Sequence, residues 1–217
     1  MTNYGKIIAR LIAAWFIAIL AASAFHVFKT DPSRPPIALG LAVLIPIVAF
    51  ALWFRAFAPF RQFTLALDPR TLTFMQSWRI VGFVFLVLYA DGILPGWFAM
   101  PAGWGDVFIG ITAPFVALKL ADPSRRSSFL LWQALGILDL VVAVGTGASA
   151  FFIDPHGIPT SPNTVLPLSL IPTFGVPLLL ILHFISIAQA RRWPAQDYSS
   201  FAPPSNRSTS ALSGADV

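Results

Sequence analysis

Six stretches of the chain stay apolar for about twenty residues each, and none of them alternates polar with apolar positions. A hydrocarbon layer about 30 Å thick needs roughly 20 helical residues to cross it. On that measure the candidates are residues 7–28, 36–58, 74–94, 102–121, 128–151 and 165–188. Membrane strands would show a period of two, so the pattern predicts an all-α integral membrane bundle of six transmembrane helices. The polar breaks carry helix-start chemistry. "DPSRPP" puts proline in the first turn of the second helix, where the missing N–H has no partner in any case. "DPRTLTFMQSWR" offers Asp68 as a cap and Pro69 at the first helical position, so the third helix is expected to begin ahead of its apolar run. Residues 1–192 then form the membrane domain. Residues 193–217, rich in Ser, Pro and Asn, read as a disordered cytoplasmic tail.

Charge adds an orientation. Twelve of the fourteen Lys and Arg residues fall on one side of the six runs. They are Lys6 and Arg10, then Arg55, Arg61, Arg70 and Arg79, then Lys119, Arg125 and Arg126, and last Arg191, Arg192 and Arg207. Only Lys29 and Arg34 fall on the other side, and the loops around Pro101 and Pro155 carry none. Cytoplasmic loops hold the excess of positive charge, so both termini are expected in the cytoplasm. The net charge of +5 does not point to nucleic acid, because these residues sit at helix ends and not along one polar face. A rival reading takes "AASAF" as a signal-peptide cleavage site after Ala24. Against it, Arg10 interrupts the apolar run, and His26 and Phe28 are expected to extend the helix past the site.

Only 11% of residues are charged, against about 25% in soluble domains, so each polar group inside a run needs a reason. Asp139 is the deepest, ~16 Å from the cytoplasmic end at ~1.5 Å per residue. Its face carries Gly136, Ala143, Thr146 and Gly147, small enough for neighbouring helices to approach closely. Two readings fit it: a proton- or cation-binding carboxylate, or a buried acid that fixes helix register. In "LIPTFGVPLLLILHFIS", Pro172 and Pro177 predict a kinked or interrupted sixth helix beside Asp139, with the Thr173 hydroxyl as a further ligand. A plain proline kink is the structural alternative. His183 and Arg79 are placed at similar depth and, with Asp139, predict one polar cluster opening toward the cytoplasm. Asp106 enters the fourth helix from the outer side on a stripe with Gly103, Gly110, Ala113 and Ala117. With Asp91 and His26 it offers the lining of an outer vestibule, the alternative being that they are waterside helix-end residues, Asp91 more so than Asp106; Trp97 and Trp104 read as interfacial anchors.

Soluble-enzyme motifs are absent from the sequence: no Walker loop, no Gly-x-Ser-x-Gly, no His-Glu-x-x-His, and no glutamate at all. Without cysteine there are no disulfides and no thiolate metal ligands. Asp106, His26 and His156 have no diagnostic metal spacing, so no metal or cofactor is expected. "LPGWFAMPAGWGDVFIGITAP", "LGILDLVVAVGTG" and "LIPTFGVPLLLILHFIS" together resemble a family of small bacterial inner-membrane proteins. The resemblance covers about residues 79–191 and implies location and fold without implying chemistry. Three function classes remain. They are transport of a small solute, proton or cation past Asp139, a membrane-embedded enzyme acting on lipid or quinone at Arg79 and His183, and a non-catalytic subunit or assembly factor. The expected partners are the lipid bilayer and a second copy or a membrane-complex subunit, and not nucleic acid.

Overall fold

A computed structural model describes residues 3–31, 34–154 and 156–193, and among them every regular element is helical. The helices are α1 Asn3–Ala24, α2 Ile37–Ala56, α3 Ala58–Leu65, α4 Pro69–Phe74, α5 Phe83–Ala90, α6 Gly96–Lys119, α7 Arg126–Ile153 and α8 Val176–Ala190. A 3-10 segment, Met75–Gly82, joins α4 to α5, and a π-helical turn, Ile171–Gly175, leads into α8. Joined in this way, six helices are long and apolar enough to cross a membrane. The expected tail, residues 194–217, and Arg207 within it lie outside the described residues.

The small-residue stripe of α6 makes it the centre. Ala99, Ala102, Gly103, Asp106, Ile109, Gly110, Ala113, Val116 and Ala117 are buried every three or four positions, which is one helical face. Against that face pack α4, the 3-10 segment, α5 and α7. The helix α7 also meets α8, which touches α2 and α4 as well. At the edge, α1 holds on chiefly through Trp15 and Phe16 against Phe174 of the π turn, with ring centroids 4.6 and 5.0 Å apart. The outer surfaces stay apolar along the bundle, with Ile17, Leu52, Leu118 and Leu131 each more than 60% exposed.

Three contacts bring the basic loops to one end. Tyr4 packs at a tilt against Phe63 of α3, Gln189 donates to the Leu67 carbonyl at 2.7 Å, and Arg126 reaches the Arg191 carbonyl at 3.5 Å. Gln189 also donates to the Thr64 carbonyl, so one side chain caps the end of α3. The Asp68 cap forms as expected and accepts from the Arg70 and Thr71 amides. The Thr71 hydroxyl and those amides hold its carboxyl below the usual range.

Several boundaries differ from the sequence pattern. The first helix stops at Ala24 and does not run on to Phe28: His26 takes a φ of +58°, and the Val27 amide closes back on the Ala22 carbonyl. The fourth helix begins at Gly96, not Ala102, so the "loop" around Pro101 is helical, with Pro101 inside α6. The sixth begins at Ile171 and not at Val165, because Pro167 and the short 3-10 turn at Ser161–Thr164 hold the preceding chain in turns.

The third helix carries the most consequential departure. Thr73, Gln76, Arg79, Gly82 and Phe85 are all buried, a spacing of three. In an α-helix such a series drifts by about 60° per step, so over four steps it would wind away from any single face. Winding Met75–Gly82 as 3-10, with about three residues per turn, keeps the series on one face.

Candidate functional site

Arg79 is the hub of a polar cluster in the middle of the bundle. Its side chain is fully covered, and every donor position used points at a named acceptor. Nε donates to Asp106 Oδ1 at 2.8 Å, and Nη1 donates to the Gly136 carbonyl at 3.0 Å. Nη2 donates to Asp139 Oδ2, and Nη1 lies 3.4 Å from His183 Nε2. One guanidinium from the third long helix therefore clamps a carboxylate from α6 and another from α7. Such forked, charge-assisted bonds fix geometry better than a lysine could.

Glycines make the room. A Cβ on Gly82 would overlap Asp106, one on Gly105 the Asp139 carboxylate, and one on Gly136 the His183 ring. The glycine stripes that look in sequence like plain helix-packing patterns thus also seat the charged side chains.

From the cluster a chain of hydrogen bonds runs toward the end that holds the basic loops. His183, with no exposed surface, has Nδ1 against Gln133 Oε1. Gln133 Nε2 donates to the Thr73 hydroxyl at 3.3 Å, and that hydroxyl donates to the Pro69 carbonyl at 2.8 Å. Because Arg79 can only donate, His183 Nε2 is the acceptor, and the tautomer with its proton on Nδ1 satisfies both neighbours. Beside this chain, Gln76 donates to the Leu179 carbonyl at 3.2 Å.

On the opposite side the cluster meets clefts. One of about 90 Å³ descends from the end formed by Pro36, Thr160 and Thr164 and reaches Asp106 between α6, α7 and the π turn. Its upper part adjoins a polar mouth of about 120 Å³ with Asp31, Arg34, Asp154 and His156. A third opening, about 180 Å³ and mostly apolar, lies at the side between the 3-10 segment and the π turn and also reaches Arg79 and Asp106.

Four of the five residues singled out in the sequence, Arg79, Asp106, Asp139 and His183, meet here. Thr173 does not, because its buried hydroxyl donates to the Ser169 carbonyl at 2.6 Å. The helix break lies beside Asp106, not as a ligand shell around Asp139. The clefts open at the end away from the basic loops and at the side, whereas the sequence pointed to an opening toward the cytoplasm. Arg79 is no helix-end cation, so eleven and not twelve of the basic residues remain for the loops and tail on that side. Asp91 and His26 stay exposed at helix ends, away from the cluster. Trp104 is exposed as an anchor would be, whereas Trp97 is half-buried against the Phe85–Phe98 group. Among the described residues no three His, Asp or Glu side chains come together as a metal would need, so Asp106, His26 and His156 form no such set. Thr73, Gln76 and Gln133 were missed in the sequence; their three-residue spacing to Arg79, and that of Gln133 to Gly136 and Asp139, was the available signal.

Residues 36–191 match the family described as a domain of unknown function, DUF8737. The chain belongs to the DUF8737 family. No curated protein and no solved structure matches it. The DUF8737 region takes in α2 to α8 and every member of the Arg79 cluster, and α1 precedes it. It also contains residues 79–191, which carry the sequence resemblance.

Proposed function

We propose that this chain is a multi-pass protein of a bacterial cytoplasmic membrane, both termini cytoplasmic, that passes a proton or small cation through the Arg79–Asp106–Asp139 cluster. The apolar outer surface supports the membrane: far more large apolar side chains face outward than a water-soluble monomer leaves exposed. The grouping of the basic loops at one end supports the orientation. Periplasm-active reporter fusions test it. High activity is expected at the Ile158 loop and none at the Arg125 loop, and the reverse would overturn the topology.

One observation carries the transport reading. A buried Arg79 bound to two carboxylates stands at the foot of a cleft from one end and at the head of a hydrogen-bonded chain to the other. Two carboxylates against one guanidinium leave one negative charge over. Desolvating an unpaired charge costs several kcal/mol, so the cluster favours a proton or a bound cation as its balance. The π turn at the cleft follows the same logic, since interrupted helices serve at mid-membrane where a cavity meets freed backbone. Proteoliposomes loaded with a pH-sensitive dye test it. Under an imposed potential, protein-dependent internal acidification is expected, and a rate equal to that of protein-free liposomes would overturn the reading.

A second reading draws on the side opening, which leads from the lipid-facing surface to Arg79 and Asp106. It would admit a lipid or quinone to an enzyme site. Stoichiometric quinone or lipid in the purified protein, found by mass spectrometry, would favour it over transport.

A further inference from the structure

We infer that the cleft above Asp106 binds a small organic ammonium ion with an apolar body, and that this cation, not a metal ion, alternates with the proton at the cluster. The inference rests on the transport reading and names the substrate class of the same site. Its ground is the chemistry of the cleft wall. Asp106 Oδ1 is taken by Arg79, while Oδ2 has no hydrogen-bond partner among the described residues. Asn163, on the same wall, has a buried Oδ1 that is also without a partner. The unpaired carboxylate oxygen on the cleft wall is an acceptor, and it calls for a ligand that donates. The remaining inner wall is carbon, from Phe85, Phe98, Leu140 and Val176. Phe85 and Phe98 stand edge to face with centroids 5.5 Å apart, and both line the cleft together with Asp106.

Hydration decides between cation types. A metal ion such as Ca²⁺ needs about six or more oxygens to replace its water shell. Beside Asp106 the inner wall of the cleft is carbon, from Phe85, Phe98, Leu140 and Val176, so too few oxygens stand near the carboxylate to replace that shell. An alkylammonium needs fewer oxygens and has compensations for its lost hydration: its apolar body gains from burial, its head donates to Asp106 Oδ2, and aromatic faces attract the charge. The side opening shares Asp106, Leu140, Ile171 and Val176 with this cleft, so such a ligand also has a route from the membrane phase.

The test uses the full chain purified in detergent and calorimetric titration with three probes. These are 2-phenylethylammonium, the neutral 2-phenylethanol and Na⁺. The ammonium is expected to bind at least ~10-fold more tightly than the alcohol, the ratio one charge-assisted hydrogen bond provides. Excess Na⁺ should not displace it, and Asp106→Asn should erase the preference for the charged probe. If Asp106→Asn does not yield monodisperse protein, Phe98→Leu replaces it and should weaken the ammonium more than the alcohol. Equal binding of ammonium and alcohol, or displacement by Na⁺, would overturn the inference. Proton flux in liposomes without ammonium binding would overturn it too, leaving the transport reading in place. Ammonium binding without proton flux would instead support the site and overturn transport.

Discussion

Arg79→Leu is expected to prevent recovery of folded, monodisperse protein, the largest effect of any single substitution in the chain. The guanidinium is the only positive charge in contact with Asp106 and Asp139 among the described residues, and both carboxylates are largely buried. Removing it leaves two like charges close together and the Gly136 carbonyl without its side-chain donor. Breaking a buried ion pair from one side costs about 3–5 kcal/mol, and here two pairs break at once. A typical domain has only about 5–15 kcal/mol in hand. The same logic predicts a rescue. Combined with Asp106→Leu and Asp139→Leu, Arg79→Leu should fold again, because a buried triad can be exchanged for apolar side chains of similar size at little cost. Size-exclusion profiles and detergent melting curves of the single and triple variants check this. A single variant that melts like wild type would mean the cluster contributes nothing to the fold.

The architecture was legible because membrane-length apolar runs and proline punctuation are strong local signals. All six long helices, the Asp68 cap and the interruption between Pro172 and Pro177 could be read from the chain. Depth was harder to read, and the reason is physical. Counted from Phe74 as an α-helix, Arg79 lies only about 8 Å along its helix and looks like an end residue. Counted from Pro69, with the 3-10 segment rising ~2 Å per residue, it lies about 17 Å along and reaches the middle. Asp106 was misplaced in the same way, because α6 begins six residues before the apolar run does. Both shifts move charged residues inward, which is why Asp106 joins residues expected at a different depth. The neutral links, Gln133 and Thr73, have no charge that would set them apart in an apolar run. A glutamine carries no charge to mark it, but a buried one needs partners just as much.

Asp139 gives the second large expected effect, this time on activity and not on folding. Asparagine keeps an oxygen for Arg79 Nη2 and nearly the same shape, so the clamp survives. It also removes the surplus negative charge, since Arg79 and Asp106 then balance each other. Stability should therefore stay within ~0.5 kcal/mol of wild type, as for a substitution that strands no buried group. Asp139→Leu differs, because it deprives Nη2 of its acceptor in a buried site and should cost about 1–3 kcal/mol. A register-fixing carboxylate and a proton- or cation-binding one are separated by this pair. In the first case Asn behaves as wild type in every assay. In the second, Asn folds and fails.

The measurement that decides is the proton flux of Asp139→Asn proteoliposomes, normalised to folded protein and compared with wild type under the same imposed potential. A variant that melts like wild type yet acidifies no faster than protein-free liposomes is the expected result. Wild-type flux from the same variant would contradict a role for the surplus charge, and with it the proposal that the Arg79–Asp106–Asp139 cluster carries the ion.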